Sequence, residues 1–302
     1  MKLNIPKQYS EADPYVIKGK DGYYMYATDK EGAKVFYSEN FFDWEYLGIC
    51  YSKKGEKEYW APCAIEIDGT YYLYVSSMPE NEDDCHLQKI QVAKSNSPRG
   101  PFEFITFLTP PFSIDPHVVR SGKDLFMFYS TNDYEAVRAG TLIVVDKMIS
   151  PTEMVGQPKV MVRATLDEEI FMKDRFKMGQ HWHTLEGAFY LRKGDYHYLM
   201  YSGNCYQNEK YYIGYAYAYS KEDDLTKLKF QKYPDENTYY PLICKNEFEE
   251  GTGHHSVLEV NGKLYVIYHG RDYGPNQREG DQRTARICEI SLDKERIKVV
   301  KR

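Results

Sequence analysis

Residues 115–131 read DPHVVRSGKDLFMFYST: a short apolar strand that opens with Asp-Pro, a polar turn with glycine, and an aromatic-rich strand ending in Ser-Thr. Two strands joined by so short a turn predict a β-hairpin, because Gly and its polar neighbours accept the backbone angles of tight turns. Four further copies of the pattern are DPYVIKGKDGYYMYAT (13–28), APCAIEIDGTYYLYVSS (61–77), EGAFYLRKGDYHYLMYSG (186–203) and HHSVLEVNGKLYVIYHG (254–270). Self-similarity of this kind indicates a repeat architecture.

A further strand follows each hairpin, as in GTLIVVDK (140–147), and an edge strand closes several copies, clearest in WEYLGIC (44–50), FEFITFL (102–108) and LKFQKY (228–233). The pattern predicts an all-β fold, a five-bladed β-propeller with four antiparallel strands per blade around a central channel. We expect residues 1–302 to form this single domain, without an appended β-sandwich. The interval from Pro151 to Gln180 is interpreted as an inserted loop at the funnel rim or an elongated blade strand.

Composition agrees with this fold and excludes several function classes. Thirty Tyr and 14 Phe favour strands over helices. A net charge of -6 and a pI near 5.8 give no basic face for nucleic acid, and no apolar run is long enough for a membrane span. The N-terminus lacks the apolar run of a signal peptide, which predicts a cytoplasmic protein. The six cysteines have no paired spacing, so we expect reduced, mostly buried thiols.

The repeats place five distant residues on one ring. In a propeller the first strand of each blade lines the axis, so its leading residue opens onto a shared funnel. Aligning the five copies puts the following residues at that position: Asp13, Ala61, Asp115, Glu186 and His254. An isolated Asp before Pro is most simply a turn residue, but the matched position in the repeats favours a site with three carboxylates and a histidine.

Such a ring suits the hydrolysis of glycosidic bonds, which requires one carboxylic acid and one carboxylate. We assign Asp13 as general base and Glu186 as general acid. Asp115 would raise the proton affinity of its neighbour, since like charges in one cleft resist joint ionisation. The short Asp13 leaves room for a water beneath the sugar, which favours inversion of the anomeric centre.

Other residues near the ring are candidate ligands for substrate or metal. Trp60, directly before the ring position of blade two, offers a stacking surface for a sugar. Arg283 and Arg286 could each orient a carboxylate or a sugar hydroxyl, with a surface salt bridge as the alternative. His254 is either a hydrogen-bonded histidine of the blade or a ligand in the channel to a metal ion or water.

With these residues in place, the sequence resembles glycoside hydrolase family 43 over nearly its whole length. The motifs that carry the resemblance are ADPYVI (12–17), YWAP (59–62), SIDPHVV (113–119), TLEGAFYL (184–191) and GTGHHSV (251–257). The resemblance implies an inverting mechanism with the same three roles for the carboxylates. It also implies that His254 approaches a channel calcium ion through water, while the chemistry itself requires no cofactor. QRTAR (282–286) departs from the family's pattern, which leaves the choice between Arg283 and Arg286 open.

Family resemblance and the missing signal peptide together suggest the substrate. We expect cleavage of terminal β-D-xylosyl or α-L-arabinofuranosyl residues from short oligosaccharides or glycosides, with endo-arabinanase or galactan-acting activity as the alternative. A non-catalytic sugar-binding propeller is the alternative of another class. A propeller that cleaves fructosides is disfavoured, because its characteristic WMNDPNG and RDP motifs are absent from this sequence. The expected partner is the sugar substrate, without nucleic acid or membrane, and self-association is left open.

Overall fold

A computed structural model describes residues 3–6, 8–274 and 282–302 of the chain. Within these ranges it contains 22 β-strands and three 3₁₀ turns (Cys85–Leu87, Asp167–Glu169 and Leu225–Lys227), and none of its helices has the length and apolar character needed to cross a membrane. The strands form three four-stranded sheets and one ten-stranded sheet, which confirms the predicted all-β fold and is consistent with five blades. The six cysteines are free thiols, and four of them are buried.

Three blades are separate four-stranded sheets with consecutive strands side by side. Blade one contains β1 (Tyr15–Lys18), β2 (Tyr23–Ala27), β3 (Ala33–Ser38) and β4 (Glu45–Tyr51). Blade two contains β5 (Glu56–Ile67), β6 (Thr70–Pro79), β7 (Lys89–Ser95) and β8 (Glu103–Phe107). Blade five contains β19 (Glu249–Val260), β20 (Lys263–Asp272), β21 (Thr284–Asp293) and β22 (Arg296–Lys301).

Blades three and four share one continuous sheet. Blade three contains β9 (Ser113–Ser121), β10 (Asp124–Asp133) and β11 (Gly140–Ser150), with β12 (Glu153–Met154) and β13 (Lys159–Val162) on its outer edge. Blade four contains β15 (Trp182–Lys193), β16 (Tyr196–Gly203), β17 (Tyr212–Tyr219) and β18 (Gln231–Lys232), with β14 (Ile170–Met172) paired to the start of β15. A short parallel pairing of β11 with β15 joins the two blades.

The segment 151–180 contains three short strands and no elongated blade strand. Its first part supplies the outer strand of blade three, and its second part carries β14 to the funnel end of β15. The predicted edge strand LKFQKY is shorter than expected, because only β18 pairs within it. Two of the predicted hairpins turn through Asp68-Gly69 and Asn261-Gly262, where both residues of each pair have positive φ, as a type I′ turn requires.

The hydrophobic core lies between neighbouring blades. Tyr26 and Val35 of blade one pack in one cluster with Leu73 and Val75 of blade two, and similar clusters fill the other interfaces. Burial of these aromatic and branched side chains holds the sheets face to face. The core thus fixes the angle between neighbouring blades, while the inner strands line the central axis.

Close to the axis, a side-chain hydrogen bond crosses each of the five blade interfaces. From blade one round to blade five, the backbone N–H groups and their acceptors are Ala61 to Thr28 Oγ1 (2.8 Å), Val118 to Cys63 Sγ (3.4 Å), Gly187 to Asp115 Oδ2 (3.0 Å), His254 to Ser202 Oγ (2.7 Å) and Val16 to Ser256 Oγ (3.0 Å). The last of these closes the ring, since Ser256 also donates to the carbonyl of Pro14 at 2.9 Å.

We predict that Ser256→Ala lowers the free energy of unfolding by about 1–3 kcal/mol, because it leaves the buried Val16 N–H and Pro14 carbonyl without their partner. Urea unfolding measures the loss. Ser121→Ala is the matched control, since Ser121 is also buried but its hydroxyl has no hydrogen-bond partner in the described part of the chain. Equal losses in the two variants would contradict the role of the Ser256 bridge.

Candidate active site

Each blade has a residue with left-handed backbone where its inner strand reaches the funnel. Their φ angles are 56° at Asp13, 49° at Ala61, 58° at Asp115, 61° at Gly187 and 41° at His254. In blades two to five the strand pairing shifts register at this point, as in a β-bulge. The shift re-aims the side chain. Backbone strain of this kind persists only where the surroundings hold it, and it concentrates at functional sites.

One sequence alignment was wrong by a single residue, in blade four. Asp13 and Asp115 lie two residues before the first residue paired beyond the bulge (Tyr15 and His117), and the residue at the same place in blade four is Gly187. Glu186 lies one residue earlier and pairs with Ser202. Glycine is favoured there, because its φ is positive and a Cβ at position 187 would make a tight contact of 3.2 Å with the ring of His254. The acid therefore reaches the funnel from a neighbouring position.

Asp13 is bound by hydrogen-bond donors and faces a permanent positive charge. The Thr28 hydroxyl donates to Oδ2 at 2.5 Å, and Arg283 donates to Oδ1 at 3.1 Å. The imidazoles of His254 and His269 lie 3.4 and 3.2 Å from Oδ1. Burial by itself would raise the pKa of Asp13, but Arg283, with smaller contributions from the two histidines, lowers that pKa well below its usual value. Asp13 is therefore ionised at neutral pH.

Glu186 has the opposite character. It is partly buried, and this desolvation followed by the negative charge of Asp115 raises its pKa to about 8, although the Tyr211 hydroxyl, which donates to Oε1 at 2.7 Å, opposes this shift. Asp115 accepts hydrogen bonds from Ser130 Oγ at 3.1 Å and from the Gly187 N–H at 3.0 Å. Burial raises the pKa of Asp115 as well. Glu186 therefore keeps its proton at neutral pH.

Tyr211 is a site residue that the sequence analysis missed. It is buried, precedes β17, and stacks on the ring of His269 at a centroid distance of 5.6 Å. Gly253 makes room for it, because a Cβ at that position would lie 1.9 Å from the tyrosine ring. Only Gly253 gave a local signal, since Tyr211 stands among many other tyrosines in YYIGYAYAY (211–219).

The remaining predicted residues separate into two groups. Trp60 pairs with Ser76, the same register position that Glu186 has in blade four, so its side chain belongs to the funnel. Its indole donates to Glu58 at 3.0 Å. Arg283 reaches Asp13, whereas Arg286 forms ion pairs with Asp272 and Glu249 away from it. Of the two arginines, Arg283 is thus the one beside Asp13, the predicted base.

Residues 173–182, from the end of β14 to the first residue of β15 and called the arm below, reach the loop of blade two that carries His86. Arg175 donates to His86 Nε2 at 3.1 Å, and its guanidinium lies 4.5 Å from the ring of Trp182. Since Trp182 stands four residues before Glu186 on β15, the two side chains lie on one face of that strand. The arm therefore adds to the wall on the side of the predicted acid.

His254 is the predicted metal ligand, and its Nδ1 faces Asp13. In the described residues, the one group of three close His, Cys, Asp or Glu ligand atoms is Asp84, Cys85 and His86, on a loop remote from His254 in sequence. A calcium ion beside His254 would thus take most of its ligands from water and backbone oxygens, which is compatible with calcium chemistry. The channel calcium stays a prediction.

An ionised aspartate and a protonated glutamic acid in one funnel can activate a water and protonate a leaving oxygen. On a five-bladed propeller, this pair of carboxyl groups defines a protein of the glycoside hydrolase class. The chain belongs to glycosyl hydrolases family 43, whose sequence model matches residues 5–296. This result confirms the resemblance drawn from the motifs.

Individual relatives support the assignment to this family. A crystal structure of a thermostable family-43 glycoside hydrolase has a TM-score of 0.82 and 28% identity, covering 99% of this chain and 96% of that one. A xylosidase/arabinosidase of Thermoclostridium stercorarium is 23% identical over 92% of this chain, which spans 62% of that relative's length. An extracellular exo-α-(1→5)-L-arabinofuranosidase of Cellvibrio japonicus is 23% identical, and the match covers 89% of this chain and 81% of that enzyme. The cytoplasmic location stays a prediction.

The geometry around Glu186 can be tested with two variants that should shift the pKa of Glu186 in opposite directions. Asp115→Asn removes a negative charge and should lower that pKa, whereas Tyr211→Phe removes a hydrogen bond that lowers it and should raise it. Because Glu186 must keep its proton, kcat/KM for glycoside hydrolysis should fall as pH rises through about 8 in the parent protein. The basic limb of the rate profile should move to lower pH in the first variant and to higher pH in the second. Movement in one common direction would contradict the assignment.

Proposed function

We propose that this protein is an inverting glycosidase that removes terminal β-D-xylosyl or α-L-arabinofuranosyl residues from short oligosaccharides or glycosides. The observation that carries the proposal is the opposite charge state of two carboxyl groups, Asp13 and Glu186, within one funnel. Membership of family 43 supports the reaction class. The names of two relatives, a xylosidase/arabinosidase and an exo-arabinofuranosidase, support the choice of sugars.

The proposed reaction is a single displacement. A water held by Asp13 attacks the anomeric carbon and gives its proton to that carboxylate, while Glu186 gives its proton to the leaving glycosidic oxygen. Arg283 keeps the base ionised before the step, and Asp115 keeps the acid protonated. After product leaves, solvent returns both carboxyl groups to their starting protonation states.

Substrate binding uses residues of the funnel other than the three carboxyl groups. Trp60 offers its indole face to the apolar side of a sugar ring from the same register position as Glu186. The arm with Arg175 and Trp182 adds a wall on the acid side, where the leaving group would lie. These surfaces favour a short leaving group over a long polymer.

A panel of nitrophenyl glycosides tests the function, with β-D-xyloside and α-L-arabinofuranoside first and linear arabinan as the polymer control. We expect turnover of one or both glycosides, and Asp13→Asn should reduce it by about 10² to 10⁴, the usual worth of a general base. Proton NMR before mutarotation should show that the first-released sugar has the inverted anomeric configuration. Sugar binding without any turnover would point instead to a non-catalytic propeller, and faster action on arabinan to an endo enzyme.

Glu186→Ala should act in proportion to how poor the leaving group is, because the acid matters most when the departing oxygen needs a proton. Hydrolysis of a natural disaccharide should fall by about 10² or more, whereas a dinitrophenyl glycoside should keep most of its rate. The ratio of the two rates is the measurement. An equal loss on both substrates would assign Glu186 to binding or folding and would remove it from the acid role.

A further inference from the structure

Glu11 is a buried carboxyl group at the joint between the first and last blades. Only 2% of its surface is exposed. Its own N–H donates to the carbonyl of Arg283 at 2.8 Å, and its Oε2 accepts the N–H of Ala285 at 3.2 Å. Glu11 thus binds the backbone on both sides of Thr284, where β21 begins.

The same stretch of chain holds Arg283 by its backbone and by its side chain. The Ser10 hydroxyl also donates to the Arg283 carbonyl, at 3.2 Å, and the Arg283 guanidinium donates to Asp13, two residues after Glu11, at 3.1 Å. Residues 10–13 therefore hold both the backbone carbonyl of Arg283 and the guanidinium at the end of its side chain. A shift of β21 relative to Glu11 would move the guanidinium away from the carboxylate.

The surroundings of Glu11 favour its neutral form. Its Oε1 has no hydrogen-bond partner among the described residues. Lys34 is the nearby cation, but its ammonium group binds the Ser10 carbonyl and Asp29, each at 3.0 Å. Burial raises the pKa of Glu11 to about 8, against smaller lowering effects from the Ala285 N–H and Lys34. A neutral Glu11 can accept the Ala285 N–H without placing a second anion beside the pair of Asp13 and Arg283.

We propose that Glu11 is a positioning residue that holds the start of β21 so that Arg283 stays on Asp13. The proposal rests on the proposed function, in which an ionised Asp13 is the base. Glu11 acts through Arg283 and touches no substrate in this scheme. The other charged or titratable groups that face Asp13 are His254 and His269, with Asp115 and Glu186 across the cluster.

The first test is the acid limb of the pH profile of kcat/KM. Glu11→Ala should loosen Arg283, raise the pKa of Asp13 and move this limb up by about one pH unit, which is about tenfold in rate below the limb. Glu11→Gln keeps a neutral acceptor for Ala285 and should restore the parent limb. If Glu11→Ala does not fold, Ser10→Ala should give a smaller shift in the same direction.

Asp146→Ala is the matched control, because Asp146 is equally buried and accepts the N–H groups of Gly156 and Gln157 far from the base. It should cost stability without moving the acid limb. An unmoved limb in Glu11→Ala, or the same shift in the Asp146 control, would overturn the proposal. A Glu11→Gln variant that behaves like Glu11→Ala would overturn the neutral-acid role.

A second test needs no catalysis, so it separates this proposal from the proposed function. In a double-mutant cycle of unfolding free energies, Glu11→Ala and Asp13→Asn should cost less together than the sum of the two, because each disturbs the same ion pair. Strict additivity would overturn the proposal even if the protein proves to be a glycosidase. Coupling in a protein that hydrolyses no glycoside would support the positioning role and reject the proposed function.

Discussion

Three carboxyl groups lie together at the axis of this propeller, Asp13 and Asp115 buried and Glu186 partly buried, and desolvation makes it costly for all of them to be ionised at once. Among the described residues, Arg283 is the permanent cation that lies within hydrogen-bond distance of one of them, Asp13. The negative charge therefore settles on Asp13. For Glu186, burial and the negative charge of Asp115 raise the pKa to about 8 even though the Tyr211 hydroxyl lowers it, which is why Glu186 keeps its proton. This single asymmetry gives similar side chains opposite charge states.

The same hydrogen bonds that close the ring also orient the reacting groups. Thr28 accepts the N–H of Ala61 in the next blade, so its own proton is directed at Asp13. Asp115 accepts the N–H of Gly187, which joins blade three to the strand that carries Glu186. Because the fold and the site share these contacts, the carboxyl groups are held by the whole ring rather than by one loop. Pre-organisation of this kind is what acid–base catalysis requires.

The sequence predicted those parts of the structure that repeat. Five copies of one hairpin define the blades, and Asp-Pro at matched positions identifies Asp13 and Asp115. In blade four the alignment put Glu186 at the left-handed position, which Gly187 occupies instead. Both glycine and aspartate can adopt this conformation, so the sequence alone does not show which residue of the Glu-Gly pair does so. Tyr211 and Glu11 escaped detection for a different reason. Their roles depend on contacts with residues distant in sequence, such as Gly253 and Ala285, which no local pattern records.

The central claim is that Asp13 and Glu186 carry opposite charge in the resting protein. Infrared titration of protein labelled with ¹³C in its glutamate and aspartate carboxyl groups measures this directly. Difference spectra against Glu186→Gln and Asp13→Asn assign the bands, which is needed because Glu11 also titrates at about 8. The account predicts a protonated Glu186 band that persists to about pH 8 and an Asp13 band that stays ionised at acidic pH well below its usual range. Titration of both groups near their ordinary values, 4.5 and 3.8, would contradict it.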